Sequence, residues 1–403
     1  MRTIPILATA LLLGASAAAA AAADFIDDTK LLLDTRLRFE DVEQDSIASA
    51  ANALTFRVRA GFETGAAWQT KLLAEGEQVW SLADDYDSTT NGNTQYPVVA
   101  DPEGGELNRL QLTNTALPAT ELTVGRQRIT LDDHRFVGDV GWRQNEQTFD
   151  AVRAVNRGLA NLTLDVTYLD QVNRVFGPDS RVGRYRGDVW LANVAYVLPA
   201  GRLTVFRYQL EFEPTAGVPG VVRESSRTTG ARFAGKRPLG ALQLSYAASY
   251  ATQSEWGDNP LSFDLDYRFG ELALSRGAYT VGAGIELLEG DGVKGFSTPL
   301  ATLHKFQGWA DRFLATPPNG IDDRYVTAGF KWQPAAPLDA VMVQLAFHRY
   351  AAERGALDYG DEVNAQVQAR WRKFNGTVKY ADYRADGFLT DTRKVWVQVE
   401  YVW

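Results

Sequence analysis

The chain contains no cysteine, which excludes a disulfide framework and any thiolate-bound metal. Histidine is nearly as scarce: His134, His304 and His348 are the whole supply, and no serine-centred nucleophile motif stands beside any of them. A hydrolase would need a nucleophile and a positioned base, so no catalytic residue, and no enzyme, is expected. A phosphate-cradling glycine loop is missing too, and no cofactor is expected. The acidic runs Asp84, Asp85, Asp87 and Asp322, Asp323 lack the ligand spacing of a calcium loop, so no metal site is expected. Acidic side chains outnumber basic ones by 50 to 41, which argues against nucleic acid as a partner. Past the N-terminus there is neither a sustained helical period nor an apolar run long enough to cross a bilayer as a helix.

What the sequence does have begins with Met1-Arg2, an apolar stretch over 4–13, and an alanine run ending in Ala21-Ala22-Ala23 before Asp24. This predicts a cleaved export signal over 1–23 and a single mature domain over 24–403. Strand-like segments then recur with a period of two. Leu54, Phe56, Val58, Ala60 and Phe62 oppose Thr55, Arg57 and Arg59. Thr204, Phe206, Tyr208, Leu210 and Phe212 oppose Val205, Arg207, Gln209 and Glu211, while Leu265, Tyr267 and Phe269 oppose Asp264, Asp266 and Arg268. Val363, Val367 and Trp371 oppose Gln366, Arg370 and Arg372. The chain closes on Val395, Val397, Val399, Tyr401 and Trp403, opposed by Lys394, Gln398 and Glu400. Successive strand side chains point to opposite faces, so each segment offers one face to lipid and one to water. Trp190, Tyr196, Tyr246, Tyr250, Tyr267, Trp332, Trp371 and Tyr401 fall on the apolar faces and predict an aromatic girdle.

The breaks come in two sizes. Tight turns are expected at 199–202, 237–240, 334–338 and 373–376, and long polar loops at 79–106 and 289–323. Short turns on one side and long loops on the other define an all-β, antiparallel up-and-down transmembrane barrel of about 18 strands (16–18) with both termini in the periplasm. It is expected in the bacterial outer membrane, against lipid and lipopolysaccharide.

Of the basic residues 32 are Arg and 9 are Lys, a bias that codon usage could produce but that also supplies rigid forks for carboxylates. On the polar faces Arg36, Arg38, Arg57, Arg59, Arg109, Arg207, Asp264, Asp266, Arg268, Arg370 and Arg372 are expected to line a pore that favours anions. Arg126 and Arg128 share a face with Leu122 and Val124. Either a bulge at Gly125 turns them inward, or the strand has left the hydrocarbon there. The densest polar stretch follows, over 131–145.

Two stretches resemble the alginate-export family of outer-membrane porins: Val124-Gly125-Arg126-Gln127 through Trp142-Arg143-Gln144-Asn145 to Phe149-Asp150-Ala151, and Thr298-Pro299-Leu300 through His304-Lys305-Phe306-Gln307-Gly308-Trp309-Ala310-Asp311. The resemblance implies an 18-stranded monomeric barrel with an electropositive constriction, and singles out Asp132, Asp133, Arg135, Trp142, Arg143, His304, Trp309 and Asp311 as loop-motif residues. The expected function is passive passage of anionic solutes, acidic oligo- or polysaccharides such as alginate or other uronates, or comparable organic acids. A low-selectivity diffusion porin and a closed adhesion barrel acting through its loops are the alternatives. An inward-folded 131–145 loop would favour the closed one.

Overall fold

The computed structural model describes residues 25–334 and 336–403, so the expected export signal lies outside the described residues. One antiparallel sheet of 18 strands closes on itself through pairing of the last strand with the first. The strands are β1 (Lys30–Gln44), β2 (Ala51–Glu63), β3 (Thr70–Asp85), β4 (Gly104–Asn114), β5 (Thr120–Gln127), β6 (Thr148–Asn156), β7 (Leu162–Asn173), β8 (Arg184–Leu198) and β9 (Gly201–Phe212). They continue as β10 (Ser226–Leu239), β11 (Leu242–Glu255), β12 (Asp264–Arg276), β13 (Tyr279–Leu288), β14 (Ile321–Trp332), β15 (Ala340–Ala351), β16 (Asp358–Trp371), β17 (Phe374–Ala385) and β18 (Thr392–Val402). Closure leaves no free sheet edge, the condition for burying backbone hydrogen bonds in lipid.

Short connections at 199–200, 240–241, 277–278 and 372–373 lie at the end that carries both termini, the periplasmic end. The long loops 86–103, 128–147 and 289–320 lie at the other. The expected turns and long loops are met, with β3 and β4 taking up residues assigned to the first loop. Residues 107–114 and 227–236, which show little alternation, lie in β4 and β10.

On most strands the predicted faces hold. On β18, Val397 and Val399 are exposed on the lipid side while Lys394, Trp396 and Gln398 are buried inside. Trp190, Tyr196, Tyr250, Trp332 and Trp371 sit exposed on the outside, as a membrane-interface girdle requires. Two strands are reversed. On β9 the aromatic face, Phe206, Tyr208 and Phe212, is buried in the lumen, and on β12 Leu265 and Tyr267 are buried there too. Tyr267 is therefore no part of the girdle. The physical cause is that these faces meet folded loop rather than water: Phe136 packs on Phe206 (ring centroids 4.9 Å apart) and Tyr267 (5.3 Å).

Candidate functional site: an arginine wall against two inward loops

The register of β1 with β2 sets Arg36 opposite Arg57, Arg38 opposite Thr55 and Asp34 opposite Arg59. Like charges directly opposite one another are destabilising, so this wall persists only because each guanidinium has a compensating group. Glu400 on β18 accepts from Arg36, Asp34 from Arg57, Glu77 on β3 from Arg59, and Gln398 from Arg38. All four arginines are buried.

Loop 128–147 folds into the lumen and presents its backbone carbonyls to Arg36, Arg38 and Arg59. Arg36 donates to the carbonyls of Gly141 (3.0 Å), Trp142 (2.9 Å) and Arg143 (3.0 Å). Arg38 donates to Trp142 O, and Arg59 to Gln144 O at 2.9 Å. The Trp142 ring lies 4.2 Å from the Arg38 guanidinium, a cation–π contact. Arg57 keeps two guanidinium nitrogens, Nε and Nη1, without a partner among the described residues.

The loop holds this course by clasping loop 289–320. Gly138 N–H donates to Leu300 O at 2.9 Å, and the Gln147 amide donates to both Gly138 O and Leu300 O at 2.9 Å. A Cβ at Gly138 would stand 2.2 Å from Thr302 Oγ1, so glycine is what permits the approach. Within loop 128–147, Asp132, His134 and Val140 take positive φ, each reversing the chain locally.

Two charged hubs pin the clasp to the wall. Arg143 reaches Glu40 on β1 (3.0 Å), Asp311 (3.0 Å) and Asp101 in loop 86–103 (3.8 Å). Arg135 pairs with Glu286 on β13 at 2.7 Å. Beside the first hub, His304 Nδ1 lies 2.7 Å from Asp311 and its Nε2 lies 2.6 Å from Lys379 Nζ on β17. An ammonium can only donate, so Nε2 accepts and Nδ1–H donates to the carboxylate, which makes the imidazole neutral. Burial, with Lys379 and Arg143 nearby, pushes the His304 pKa down to about 3. Burial pushes the Asp311 carboxyl up, but His304, Lys394 and Arg143 together hold it well below the usual carboxylate range. Trp142 stacks on His304 with centroids 4.4 Å apart, and Lys379 lies 3.9 Å from the Trp309 ring centre. Trp142, Arg143, His304, Trp309 and Asp311 thus form one cluster, while Asp132, Asp133 and Arg135 lie at the other end of loop 128–147.

The clasp does not fill the barrel. On the long-loop side one cavity of about 340 Å³ is lined by Arg135, Arg174, Arg223 and Lys294 against a single carboxylate, Glu224. Another of about 320 Å³ combines apolar walls (Val42, Val98, Val175, Leu303) with Arg143, Arg174, Arg312 and Lys394 against Asp311. On the periplasmic side two cavities, about 430 and 420 Å³, share Arg153. Asp132 and Asp133 line one of the periplasmic pair and Arg135 an outer one, so loop 128–147 is the partition between the two ends.

Several expected lining residues sit elsewhere. Arg109 and Arg128 do face inward, on Glu75 and Glu146, and Arg370 faces inward near the periplasmic mouth. Arg126 stays on the outer surface, held by both carboxylate oxygens of Asp150 at 2.7 and 2.9 Å. No bulge turns it; the strand ends at Gln127, and only Arg128, past that end, swings in. Arg207 lies on the outer face of β9, and Asp264, Asp266 and Arg268 on that of β12, because aromatic packing claimed the lumen side of both strands. Arg372 occupies the β16–β17 turn at φ 53°, beyond the strand face that carries Arg370. Asp322 and Asp323 point to opposite faces of β14, one to Arg324 outside and one to His348 inside, so they form no common site. Glu40, Glu77, Glu146 and Lys379 were missed, although alternation alone puts Glu40 on the same face as Arg36 and Arg38. Asp101 and Arg174 lie in loops and carry no periodic signal.

A closed 18-stranded barrel with an apolar outer belt and short periplasmic turns is an outer-membrane β-barrel, which locates the chain in the bacterial outer membrane. Within that class, residues 110–288 match the family model described as alginate export. The resemblance seen in the sequence is met over those residues; its 124–151 stretch falls inside the match and its 298–311 stretch beyond it. No curated protein matches the sequence. Solved structures share the fold. OpdK of Pseudomonas aeruginosa, crystallised with vanillate, superposes with a TM-score of 0.72 at 17% identity over 94% of this chain and 99% of that one. OccK3 (OpdO) of the same organism gives 0.67 at 17% over 95% and 97%, and OccAB3 of Acinetobacter baumannii 0.70 at 15% over 94% and 100%.

Proposed function

We propose that the barrel is a passive channel for small organic anions, compact carboxylates with a partly apolar body rather than uronate polymer. The observation that carries this reading is a reversal of sign: in a chain of net charge −9, the two large outer cavities are each lined by four cationic side chains and one carboxylate. Low-dielectric walls of one sign focus field and concentrate the opposite ion. The apolar lining of the 320 Å³ cavity suits a hydrocarbon body better than a hydroxyl-rich sugar, whose polar groups would lose hydrogen bonds there. A partition made of two clasped loops suits short solutes more than an extended polymer. Vanillate in OpdK, an aromatic carboxylate in a barrel of the same fold, is in keeping with this.

Passage then follows from exchange of acceptors. The carbonyls of 141–144 occupy the arginine wall with neutral dipoles; a carboxylate offers the same guanidinium groups charge-assisted bonds, roughly twice as strong. Arg57, buried with two donor nitrogens unsatisfied, has bonds to give to an anion once loop 128–147 yields. Weak, multiple sites of this kind favour conduction over retention. At the long-loop end, the outer-face residues Arg268, Arg324 and Arg349 are read as contacts for lipopolysaccharide phosphate.

Planar-bilayer recording of the mature chain across a KCl gradient tests the reading. A reversal potential of anion sign, with current blocks by benzoate stronger than by glucuronate, supports it. The inward-folded loop 128–147 favours a second reading, a closed barrel acting through its outer loops. Correctly folded protein that conducts nothing would establish that one instead.

A further inference from the structure

The periplasmic cavity of about 430 Å³ is lined by four arginines, Arg153, Arg157, Arg202 and Arg232, and three acids, Asp132, Asp133 and Asp165. Their pairing is uneven. Arg153 holds both oxygens of Asp165, at 3.0 and 2.6 Å. Arg232 pairs with Asp133 at 2.9 Å. Asp132 accepts from Asn193 at 3.1 Å and Thr204 at 3.0 Å. Every acid therefore has hydrogen-bond partners, those of Asp132 being neutral, whereas the guanidinium groups of Arg157 and Arg202 have no hydrogen-bond or ion-pair partner among the described residues, and four arginines face three acids. The adjoining 420 Å³ cavity differs: Arg153 is held by Asp165 and Arg128 by Glu146, which leaves Lys71 alone against Glu63 and Glu121.

We infer that this chamber is a second anion site, in series with the outer cavities and on the far side of loop 128–147, in which Arg157 and Arg202 receive a carboxylate. The site follows from the topology. Arg202 opens β9 on the same face as Thr204, and Arg157 stands in the turn after β6, so two turns distant in sequence bring free cations to one mouth. Asp132 and Asp133 belong to the partition loop, so an anion bound here lies directly beneath the element that separates the two ends. The inference extends the channel reading to a site at each end of the partition, but binding at the chamber does not require conduction.

Two measurements keep the inference and the channel reading apart. Succinate titrated calorimetrically into the detergent-solubilised mature chain reads binding without current. The R157Q/R202Q variant, altered only at exposed positions, is expected to lose one succinate site or to weaken it about tenfold. In bilayers, a Thr94→Cys label in loop 86–103 identifies the outer side, since the chain has no other cysteine. Succinate block from the periplasmic side should weaken about tenfold in the double variant, while block from the outer side stays as in the unaltered chain. Calorimetry that is unchanged by the double substitution would overturn the second site. A chain that binds succinate at Arg157 and Arg202 yet carries no current would leave the site standing and remove the channel.

Discussion

Arg143 holds the clasp to the barrel wall, and the result of neutralising it can be worked out group by group. In R143Q, Asp311 keeps Lys394 at 3.3 Å and His304 at 2.7 Å, and Asp101 keeps Arg38 at 3.5 Å. Glu40 keeps nothing: Arg143 is its only side-chain partner among the described residues, and its second oxygen is already unsatisfied. Stranding one member of a buried ion pair costs about 3–5 kcal/mol. With two of the three carboxylates still served, the lower end, about 3 kcal/mol, applies. The cost falls on docking of loop 128–147 rather than on the barrel, whose ladders do not involve Arg143. It shifts the docked equilibrium roughly a hundredfold. Hydrogen-exchange mass spectrometry on the 141–147 amides should lose protection by that factor, with the strand amides unchanged. The E40Q/R143Q pair removes the stranded charge and should restore all but about 1 kcal/mol. Unaltered exchange in R143Q, or no rescue by E40Q, would refute the assignment of the clasp to this ion pair.

Phe136, partly buried, contacts Phe206, Tyr208, Tyr267 and Phe296, and F136A should weaken the clasp by about 2 kcal/mol and raise single-channel conductance. R38Q/R59Q should move the reversal potential toward zero, whereas R207Q/R268Q, on the outer face, should leave it in place. His304 has a folded pKa of about 3 against an ordinary 6.5, so the undocked loop takes up a proton in that interval and the docked one does not. Docking of loop 289–320 should therefore weaken as pH falls from 6.5, and in H304Q the dependence of exchange between about pH 6.5 and 5, above the range where Asp311 titrates, should vanish.

Local alternation determined the barrel. A residue's neighbours two positions away share its face wherever lipid lies on one side, so strand number, turn asymmetry, the closing strand and the inward arginines of β1 and β2 were legible in the chain alone. The same rule misplaced Arg207, Asp264, Asp266, Arg268 and Tyr267. Alternation says that two faces differ and not which one is wet, and on β9 and β12 the apolar face looks inward because Phe136 and Phe296 arrive there from loops far away in sequence. The lumen itself was decided by tertiary structure. Loop 128–147 read as a dense polar stretch, yet its course depends on the Gly138–Leu300 contact, and the hub at Arg143 joins residues from β1 and three loops whose proximity no sequence period encodes. Free charge was equally invisible. Arg157 and Arg202 look like any other arginines in the chain, and only the folded barrel shows which of its arginines have found a carboxylate and which have not.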